Sequence, residues 1–152
     1  MSGAVRRAGI TGPFGPVSLV ERDGVLVGLE WRLPDEPGES VVLTEGLAQL
    51  AAYFAGRLRR FDLPLDWGTG LHADVRRAMA AIPWGETRTY GQIAKAVGAP
   101  AQAVGQACGA NPLPIVIPCH RVTGTNWFGG FSAPGGVETK AALLRHEGAL
   151  LL

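Results

Sequence analysis

A thiol and an imidazole stand side by side in this sequence, at Cys119 and His120. A cysteine needs a base to become the nucleophilic thiolate, and a neighbouring imidazole can supply one. The pair follows residues 115–118, an apolar run of β-branched side chains ending in proline, which predicts a buried, extended segment. Because adjacent side chains of an extended chain point to opposite sides, the pair needs either a turn or a bridging water. Alone, a Cys-His pair favours catalysis only modestly over a structural role.

A carboxylate is the usual third member of such a group, because it orients the imidazole and stabilises its charged form. Glu147, which follows His146 at the end of the last predicted helix, is the best-placed candidate. The other cysteine, Cys108, is interpreted as a small buried hydrophobic residue. The open alternative is a thiol in the wall of the same pocket, able to compete with Cys119 or to form a disulfide with it.

The composition is typical of a globular protein from a reducing compartment. Of the 152 residues, 47% are hydrophobic, which is enough for one medium-sized domain or two small ones. The two cysteines have no companion Cys/His cluster of the kind that holds zinc. No apolar run approaches the roughly 18 residues of a membrane span, so we expect a soluble cytoplasmic protein. The net charge of +1 does not by itself indicate a nucleic-acid partner.

Residues 1–66 predict a small α+β unit without a catalytic group. Two apolar runs, residues 17–20 and 25–31, are joined across Asp23 and Gly24, which is typical of a β-hairpin. The residues before them are expected to form a short tail and a turn cluster. Apolar residues then recur at helical spacing up to Phe54, and Thr44 is the expected N-cap of this helix.

Residues 67–152 predict a mostly helical unit. An apolar face over residues 71–82 indicates one helix, and a capping box at Thr89 and Gln92 begins a second that ends at Gly98. A third helix, from Pro100 to Ala110, completes a helix-turn-helix candidate. Its only polar side chains are glutamines, so it is not expected to read base edges. Its small residues permit close approach to a minor groove.

A glycine-rich segment, residues 123–136, follows the Cys-His pair and contains Trp127, Phe128 and Phe131. Glycines let the backbone bend over a ligand, and aromatic rings stack on flat molecules. The alternative is that these rings fill the core from a loop. The last helix is predicted over residues 137–147, with Gly148 as its terminator.

Several motifs together resemble the O6-alkylguanine-DNA alkyltransferases. They are Ile82-Pro-Trp-Gly-Glu-Thr-Arg-Thr-Tyr-Gly-Gln-Ile-Ala94, Ala103-Val-Gly105, Asn111-Pro112, Ile117-Pro-Cys-His-Arg-Val122 and Lys140...Leu143-Leu144...Glu147-Gly148. Their order and spacing match over residues 67–149, and residues 13–16, 52–56 and 61–65 are similar too. The resemblance implies an α+β fold. A small N-terminal structural α/β half of the RNase H-like type, residues 1–66, is expected to pack on a mostly helical half, residues 67–152, which carries the DNA-binding and alkyl-acceptor functions.

The resemblance also implies a suicide repair reaction. The alkyl group of O6-alkylguanine, or of O4-alkylthymine, moves to Cys119 in a single turnover, after the base is flipped out of double-stranded DNA approached from the minor groove. No cofactor or metal is implied, since the lesion itself is the alkyl donor. A monomer that does not contact membranes is expected.

The roles of single residues follow from the same resemblance. Cys119 is the acceptor, His120 its base through a water, and Glu147 the partner of His120. Asn111 braces this segment, and the Tyr90 hydroxyl meets guanine N3 as charge develops on the leaving base. Contacts to DNA or to the flipped base are implied for Gln102, Ala103, Gly105, Arg121, Val122, Phe131 and Ser132.

The sequence departs from the family at positions that deliver the base. Gln102 stands where the family has an arginine that fills the gap left by the flipped base, and the turn before it is short. Phe131 replaces the usual tyrosine, and Ala133-Pro134 is inserted nearby. Glutamine lacks the charge that strengthens phosphate and base contacts, so we expect weaker DNA binding or flipping. The alternatives are a thiol that accepts alkyl groups from small molecules, a protein that only binds lesions, and a regulatory DNA-binding protein.

Overall fold

The computed structural model describes residues 3–150, and its two compact units divide between Asp66 and Trp67. The N-terminal unit contains a three-stranded antiparallel sheet with the strand order β1-β2-β3 and one long helix. The C-terminal unit contains four α-helices and a two-stranded parallel sheet. The predicted α+β class is confirmed.

The predicted hairpin is confirmed. Strand β2 spans Gly15–Arg22 and strand β3 spans Val25–Glu30, with Arg22 opposite Val25 across the turn. The turn residues Asp23 and Gly24 have φ angles of 55° and 80°. Positive φ at both central positions is the requirement of the type I′ turn, whose twist matches that of the strands, and Asp-Gly meets it with little strain.

The expected N-terminal tail is instead a strand. Strand β1 spans Arg6–Gly12 and pairs with β2 from Arg6 opposite Glu21 to Gly12 opposite Gly15. Its sequence carries two arginines and two glycines, so it lacks the apolar alternation that marks a strand. It forms because an unpaired edge of β2 accepts a partner through backbone groups alone, whatever the side chains.

The first helix, α1, spans Val41–Phe54 and begins earlier than predicted. Ser40 is its N-cap, and the backbone N–H of Leu43 donates to the Ser40 hydroxyl oxygen at 3.1 Å. Thr44, the predicted cap, lies exposed within the helix. The helix extends backwards because Val42 and Leu43 are buried and lengthen its apolar face by a turn. Fully buried residues of this unit include Val17, Leu19, Leu26, Leu43, Leu50 and Tyr53.

The predicted helices of the C-terminal unit are confirmed. Helix α2 spans Gly70–Ala80, α3 spans Tyr90–Val97, α4 spans Ala101–Gly109 and α5 spans Val137–His146. The capping box is complete, because the Gln92 N–H donates to Thr89 Oγ1 at 3.1 Å and the Thr89 N–H donates to Gln92 Oε1 at 2.8 Å. Gly98 ends α3 in the left-handed conformation, with φ of 71°.

Strands β4, Arg88–Thr89, and β5, Val122–Thr123, pair in parallel next to the Cys-His segment. The segment itself is buried as predicted, with Ile115, Val116 and Ile117 each at most 5% exposed. The prediction of an extended conformation is wrong. The N–H of Ile117 donates to the carbonyl of Leu113 at 2.8 Å, and Ile115 has a φ of 71°. The chain therefore turns here, and a short 3₁₀ helix follows at Cys119–Arg121.

Among residues 3–150, no helix combines the length and the apolar character needed to cross a membrane.

Removing the observed cap of α1 tests its assignment. Ser40→Ala leaves the Leu43 N–H without its partner, so the free energy of unfolding should fall by about 1 kcal/mol. Thr44→Ala removes only an exposed hydroxyl and adds a good helix former, so it should change stability by less than about 0.5 kcal/mol. Urea unfolding followed by circular dichroism compares the two variants. Equal losses, or a larger loss for Thr44→Ala, would contradict the assignment.

Candidate functional site

A cavity of about 780 Å³ opens beside the Cys-His turn. Its walls come from α3, from α4 and from the glycine-rich segment that follows the turn. The lining residues include Tyr90, Gly91, Ala101, Gln102, Gly105, Cys108, Cys119, Trp127, Phe131 and Ser132. Most of its surface is apolar or small, so a flat heterocycle fits its chemistry better than a highly charged ligand does.

The imidazole of His120 lies fully buried behind this cavity and contacts a carboxylate. His120 Nε2 is 2.7 Å from Glu147 Oε2, and the Glu147 side chain is itself 2% exposed. Glu147 sits at the C-cap of α5, 27 residues from His120 in sequence. The structure therefore brings together the imidazole and the carboxylate that the sequence singled out, directly after the thiol in the chain.

Arg121 completes this buried group. Its guanidinium donates from Nε to Glu147 Oε1 at 2.8 Å and from Nη2 to Glu147 Oε2 at 2.9 Å. A third bond runs from Nη1 to the carbonyl of Ile82 at 2.6 Å. A bidentate arginine is a strong partner for a buried carboxylate, because both charges are neutralised and hydrogen-bonded at once.

Arg121 was expected to contact DNA, and its position contradicts that expectation. The residue is 5% exposed, and all three bonds of its guanidinium point into the protein. Sequence spacing could not reveal this, because an arginine after a Cys-His pair can face either way. The arginine acts instead on the orientation of Glu147.

The buried partners fix the protonation of the pair. Burial alone raises the pKa of Glu147, but the hydrogen bonds and charges of His120 and Arg121 outweigh it and lower the pKa to about 2. The pKa of His120 is lowered, because burial penalises the charged imidazole more than the Glu147 bond favours it. His120 is thus neutral at neutral pH, with Nε2–H donating to Glu147. Its Nδ1, which has no hydrogen-bond partner among the described residues, is left as an acceptor.

Cys119 is partly exposed on the cavity, at the start of the 3₁₀ helix. Its surroundings raise the pKa of the thiol through burial, while Asn111 and the Lys140 charge act in the opposite direction. Asn111 also holds the turn, since its Nδ2 donates to the Ile117 carbonyl at 2.9 Å and its Oδ1 accepts from the Leu113 N–H at 3.1 Å. A single amide thus supports both the turn and the thiol.

Lys140 is a functional candidate to which sequence analysis gave no role. It is fully buried on α5, and its Nζ donates to the Val122 carbonyl at 2.6 Å and to the Gly130 carbonyl at 3.2 Å. Burial lowers its pKa to about 8, although the nearby thiols act the other way. Its spacing in the sequence could have indicated that it is buried. Lys140 lies three and four residues before Leu143 and Leu144, which form the buried face of α5.

Tyr90 stands at the first position of α3, in the cavity wall. Burial raises the pKa of its phenol, and the charges of Cys108 and Cys119 add to this effect. The hydroxyl therefore stays protonated and can donate a hydrogen bond. The Lys140 ammonium lies 6.0 Å from the centre of the Tyr90 ring, on the same side of the site.

Cys108 agrees with parts of both interpretations offered for it. It is 8% exposed, and its thiol contacts the sulfur of Met79 at 3.6 Å, as a small core residue does. It also forms part of the cavity wall. Burial raises its pKa to about 12, and the charge of Cys119 contributes. Cys108 is therefore a thiol in the pocket that stays protonated and weakly nucleophilic.

The other predicted contact residues fall into two groups. Gln102, Gly105, Phe131 and Ser132 line the cavity. Val122 is fully buried, and its carbonyl accepts the bond from Lys140, while Ala103 is half-buried on α4. Within residues 3–150, no three His, Cys, Asp or Glu side chains are close enough together to hold a metal ion.

The protonation states predict how stability depends on pH. Both His120 and Glu147 have pKa values below those of the unfolded chain, so the unfolded state binds more protons in acid. The stability that these two groups contribute is fully present above their pKa values in the unfolded chain, about 6.5 for histidine and about 4.3 for glutamate. This stability is lost as the pH falls. For Glu147 the loss runs down to a pH of about 2.

Glu147→Gln should weaken the dependence of the free energy of unfolding on pH below a pH of about 4.5, because the titrating carboxylate is gone. At neutral pH it leaves Arg121 buried without a counter-charge, which should lower the free energy of unfolding by about 3–5 kcal/mol. Denaturant unfolding across this pH range measures both effects. Glu138→Gln, an exposed change on the same helix, is the control and should cost less than about 1 kcal/mol. An unchanged acid profile for Glu147→Gln would contradict the assigned ion pair.

Comparison with known proteins connects this geometry to a family. Residues 70–149 match the family model described as 6-O-methylguanine DNA methyltransferase, DNA binding domain. A methylated-DNA--protein-cysteine methyltransferase of Mycolicibacterium paratuberculosis is 42% identical, with 91% of this chain and 89% of that protein covered. The protein of the same name from Salmonella typhimurium is 50% identical over 68% of this chain and 63% of its own length.

Solved structures agree with the sequence comparisons. The O6-methylguanine methyltransferase of Mycobacterium tuberculosis has a TM-score of 0.83 at 39% identity, covering 96% of this chain and 94% of that one. A structure of the Mycobacterium tuberculosis protein OGT in complex with DNA has a TM-score of 0.83 at 39% identity, with 95% and 93% covered. The family model matches more than half of the residues, and the alignment with the 42% identical relative covers 91% of the chain. This chain therefore belongs to the 6-O-methylguanine DNA methyltransferase family.

Proposed function

We propose that this protein repairs DNA by transferring an alkyl group from O6-alkylguanine, or from O4-alkylthymine, to Cys119, one group per protein molecule. The observation that carries the proposal is a thiol on a cavity of about 780 Å³, followed in the chain by His120, whose buried imidazole lies 2.7 Å from the Glu147 carboxylate. Membership of the family supports the same reaction. Relatives named methylated-DNA--protein-cysteine methyltransferase share 42% of their aligned residues with this chain.

The proposed reaction is a displacement at the alkyl carbon. The Cys119 sulfur forms a bond to that carbon while the carbon–O6 bond breaks, and its electron pair leaves with guanine. The thiol proton passes through a water to Nδ1 of His120. The His120 imidazolium then releases this proton and the guanine anion takes up one proton, relayed through water, so neutral imidazole, neutral guanine and a neutral thioether are the products. The lesion supplies the alkyl group, and the proposal assigns no cofactor.

The raised pKa of Cys119 makes the base necessary. A thiol that is protonated at neutral pH attacks slowly unless its proton is removed as the new bond forms. His120 is poised for this because it is neutral at rest and has a free acceptor at Nδ1. Glu147, at 2.7 Å from Nε2, stabilises the imidazolium that results. The Glu147 carboxylate therefore stabilises the imidazolium of the transition state more than it stabilises the neutral imidazole of the resting site.

Tyr90 and Lys140 stabilise negative charge at two places, Tyr90 on the leaving guanine and Lys140 on the Cys119 sulfur. The Tyr90 hydroxyl, kept protonated by its raised pKa, donates to guanine N3 as negative charge grows on the base. The Lys140 ammonium partly opposes the rise that burial causes in the pKa of Cys119, and so favours the thiolate as it forms. Its bonds to the carbonyls of Val122 and Gly130 also hold the glycine-rich segment against the site. Lys140 therefore acts as a positioning residue as well as a charge.

Delivery of the base is assigned to the helix-turn-helix of the C-terminal unit. Helices α3 and α4 contribute to the cavity wall, and the small residues of α4 allow its backbone to approach a minor groove. Gln102 fills the gap left by the flipped base. The N-terminal unit is assigned a structural role. We further propose that the protein acts as a monomer in the cytoplasm; its two free cysteines suit a reducing compartment.

Gln102 also supports a second candidate function. Without a cation at this position, a protein of this family can serve mainly as an acceptor for small alkylated molecules that reach Cys119 without DNA flipping. A regulatory or lesion-binding role is less favoured. Helix α4 exposes no Arg, Lys or Asn to read base edges, and the reactive cysteine is present.

Intact-protein mass spectrometry tests the reaction. Incubation with a duplex that contains O6-methylguanine should add one methyl group per molecule of wild-type protein, and free O6-benzylguanine should add one benzyl group. Cys119→Ala should gain nothing, because the acceptor sulfur is missing. Cys108→Ala is the matched control and should still be alkylated, since its protonated thiol takes no part. A wild-type protein that gains no mass from either substrate would overturn the proposal.

Exchanging Gln102 for arginine tests how the base is delivered. Gln102→Arg supplies a charged donor to phosphate and to the orphan base, so the rate on duplex DNA should rise about tenfold. The rate with free O6-benzylguanine should stay unchanged, because no flipping is needed. Gln106→Arg adds the same charge on α4 at a residue outside the cavity lining and controls for general attraction to DNA. Equal gains from both variants would show that position 102 has no special role.

A further inference from the structure

Trp127 combines exposure with a place in the cavity wall. Its side chain is 66% exposed, although large apolar side chains are usually buried. It lines the cavity, and its ring lies 6.3 Å from that of Tyr90 at an angle of 25°, a stacked arrangement. The next residue differs, because Phe128 is half-buried with its ring 5.6 Å from the Lys140 ammonium. Trp127 therefore lies where the cavity wall meets solvent, which we call the mouth, whereas Phe128 is half-buried beside Lys140 and is not among the residues that line the cavity.

Gly124 leaves the space that the indole occupies. A side-chain carbon placed on Gly124 would collide with three atoms of the Trp127 ring, Nε1, Cδ1 and Cε2. The ring thus lies directly against a backbone that only glycine leaves open. With Tyr90 stacked nearby, an aromatic ring that contributes little to the core is fixed in orientation at the mouth of the site.

We propose that Trp127 is a stacking surface for the alkylated purine and that it supplies binding free energy independent of DNA. This inference rests on the proposed function. The indole and Cys119 line the same cavity, so a flat base held at Cys119 lies within the same pocket as the indole. Aromatic rings bind bases of any sequence through their faces. The same surface suits an aromatic substituent on O6.

Stacking on Trp127 matters because the cavity offers a base little electrostatic attraction at its mouth. Gln102 lines the cavity where a cation would add attraction, and α4 carries no charged side chain. Stacking does not depend on charge, so it holds the free base as well as the base in DNA. The ligand class that follows is a purine with a bulky, preferably aromatic, O6 substituent, bound with or without a nucleic acid attached.

The first experiment measures binding without the reaction. In the Cys119→Ala background, calorimetry gives the dissociation constant for free O6-benzylguanine, with and without Trp127→Ala. Loss of the indole should weaken binding about tenfold. Trp127→Phe should retain most of the affinity, and Gly124→Ala, which displaces the indole, should weaken binding in the same direction. An unchanged dissociation constant for Trp127→Ala would overturn the inference, even if alkyl transfer itself occurs.

The second experiment measures alkylation rates against substrate concentration in proteins that retain Cys119. Trp127→Ala should raise the half-saturating concentration about tenfold for both free O6-benzylguanine and an O6-benzylguanine duplex. The limiting rate should stay within about twofold, since the indole lies away from the reacting atoms. Leu33→Ala, an exposed apolar change in the N-terminal unit, is the control and should leave both constants unchanged.

The pattern of results separates the two proposals. An effect on the duplex alone would mean that Trp127 contacts DNA around the lesion, and an effect on the limiting rate alone would mean that it acts on the chemistry; either result overturns the inference. Absence of alkylation in the wild-type protein would overturn the proposed function instead. The calorimetric result would then still decide whether Trp127 binds the base.

Discussion

The buried carboxylate of Glu147 is the constraint on which the rest of the C-terminal unit depends. A charge at 2% exposure is tolerated only where its partners surround it, and here His120 and Arg121 do so at 2.7 to 2.9 Å. Arg121 neutralises the charge, which leaves His120 free to remain a neutral base. Because Arg121 also bonds the Ile82 carbonyl, the cluster links the end of α2, the Cys-His turn and the end of α5. Catalytic orientation and the fold of this unit rely on the same hydrogen bonds.

The segments around the site have little regular structure, so polar side chains supply the hydrogen bonds that a sheet or helix would provide. Asn111 satisfies a carbonyl and an N–H of the turn before Cys119. Lys140 satisfies two carbonyls, one from β5 and one from the glycine-rich segment. Burying an ammonium is unfavourable, and the lowered pKa of Lys140, about 8, reflects that cost. In return, the bonds of Lys140 hold the glycine-rich segment in place beside the site, and its positive charge favours the thiolate form of Cys119.

Local signals predicted the elements whose hydrogen bonds are local. The Asp23-Gly24 turn, the Thr89 capping box and the glycine terminators depend on neighbours in sequence, and the structure has them. Strand β1 was missed because its pairing is with β2, which no pattern within Arg6–Gly12 reveals. The turn at Ile115 was missed for a similar reason, since the Asn111 amide overrides the extended preference of Ile and Val. Glu147 was found through the chemistry that an imidazole needs. The inward orientation of Arg121 depends on bonds to Glu147 and Ile82, which are 26 and 39 residues away in sequence, so spacing could not reveal it. The spacing of Lys140 indicated its burial, but not the carbonyls that it bonds, 18 and 10 residues away.

The site divides into a charged end and an uncharged end, and this division separates chemistry from recognition. The charges of Glu147, Arg121 and Lys140 are buried, where solvent and salt screen them weakly. The other end includes the cavity-lining residues Gln102, Trp127 and Phe131, uncharged side chains that suit contact with a base through shape and stacking. Neither end therefore responds strongly to ionic strength. Any steep salt dependence of repair on duplex DNA must arise from phosphate contacts elsewhere on the chain, since only those release counterions. In the proposed mechanism, the residues that set the strength of DNA binding differ from those that act on a base at Cys119, so each property can change without the other.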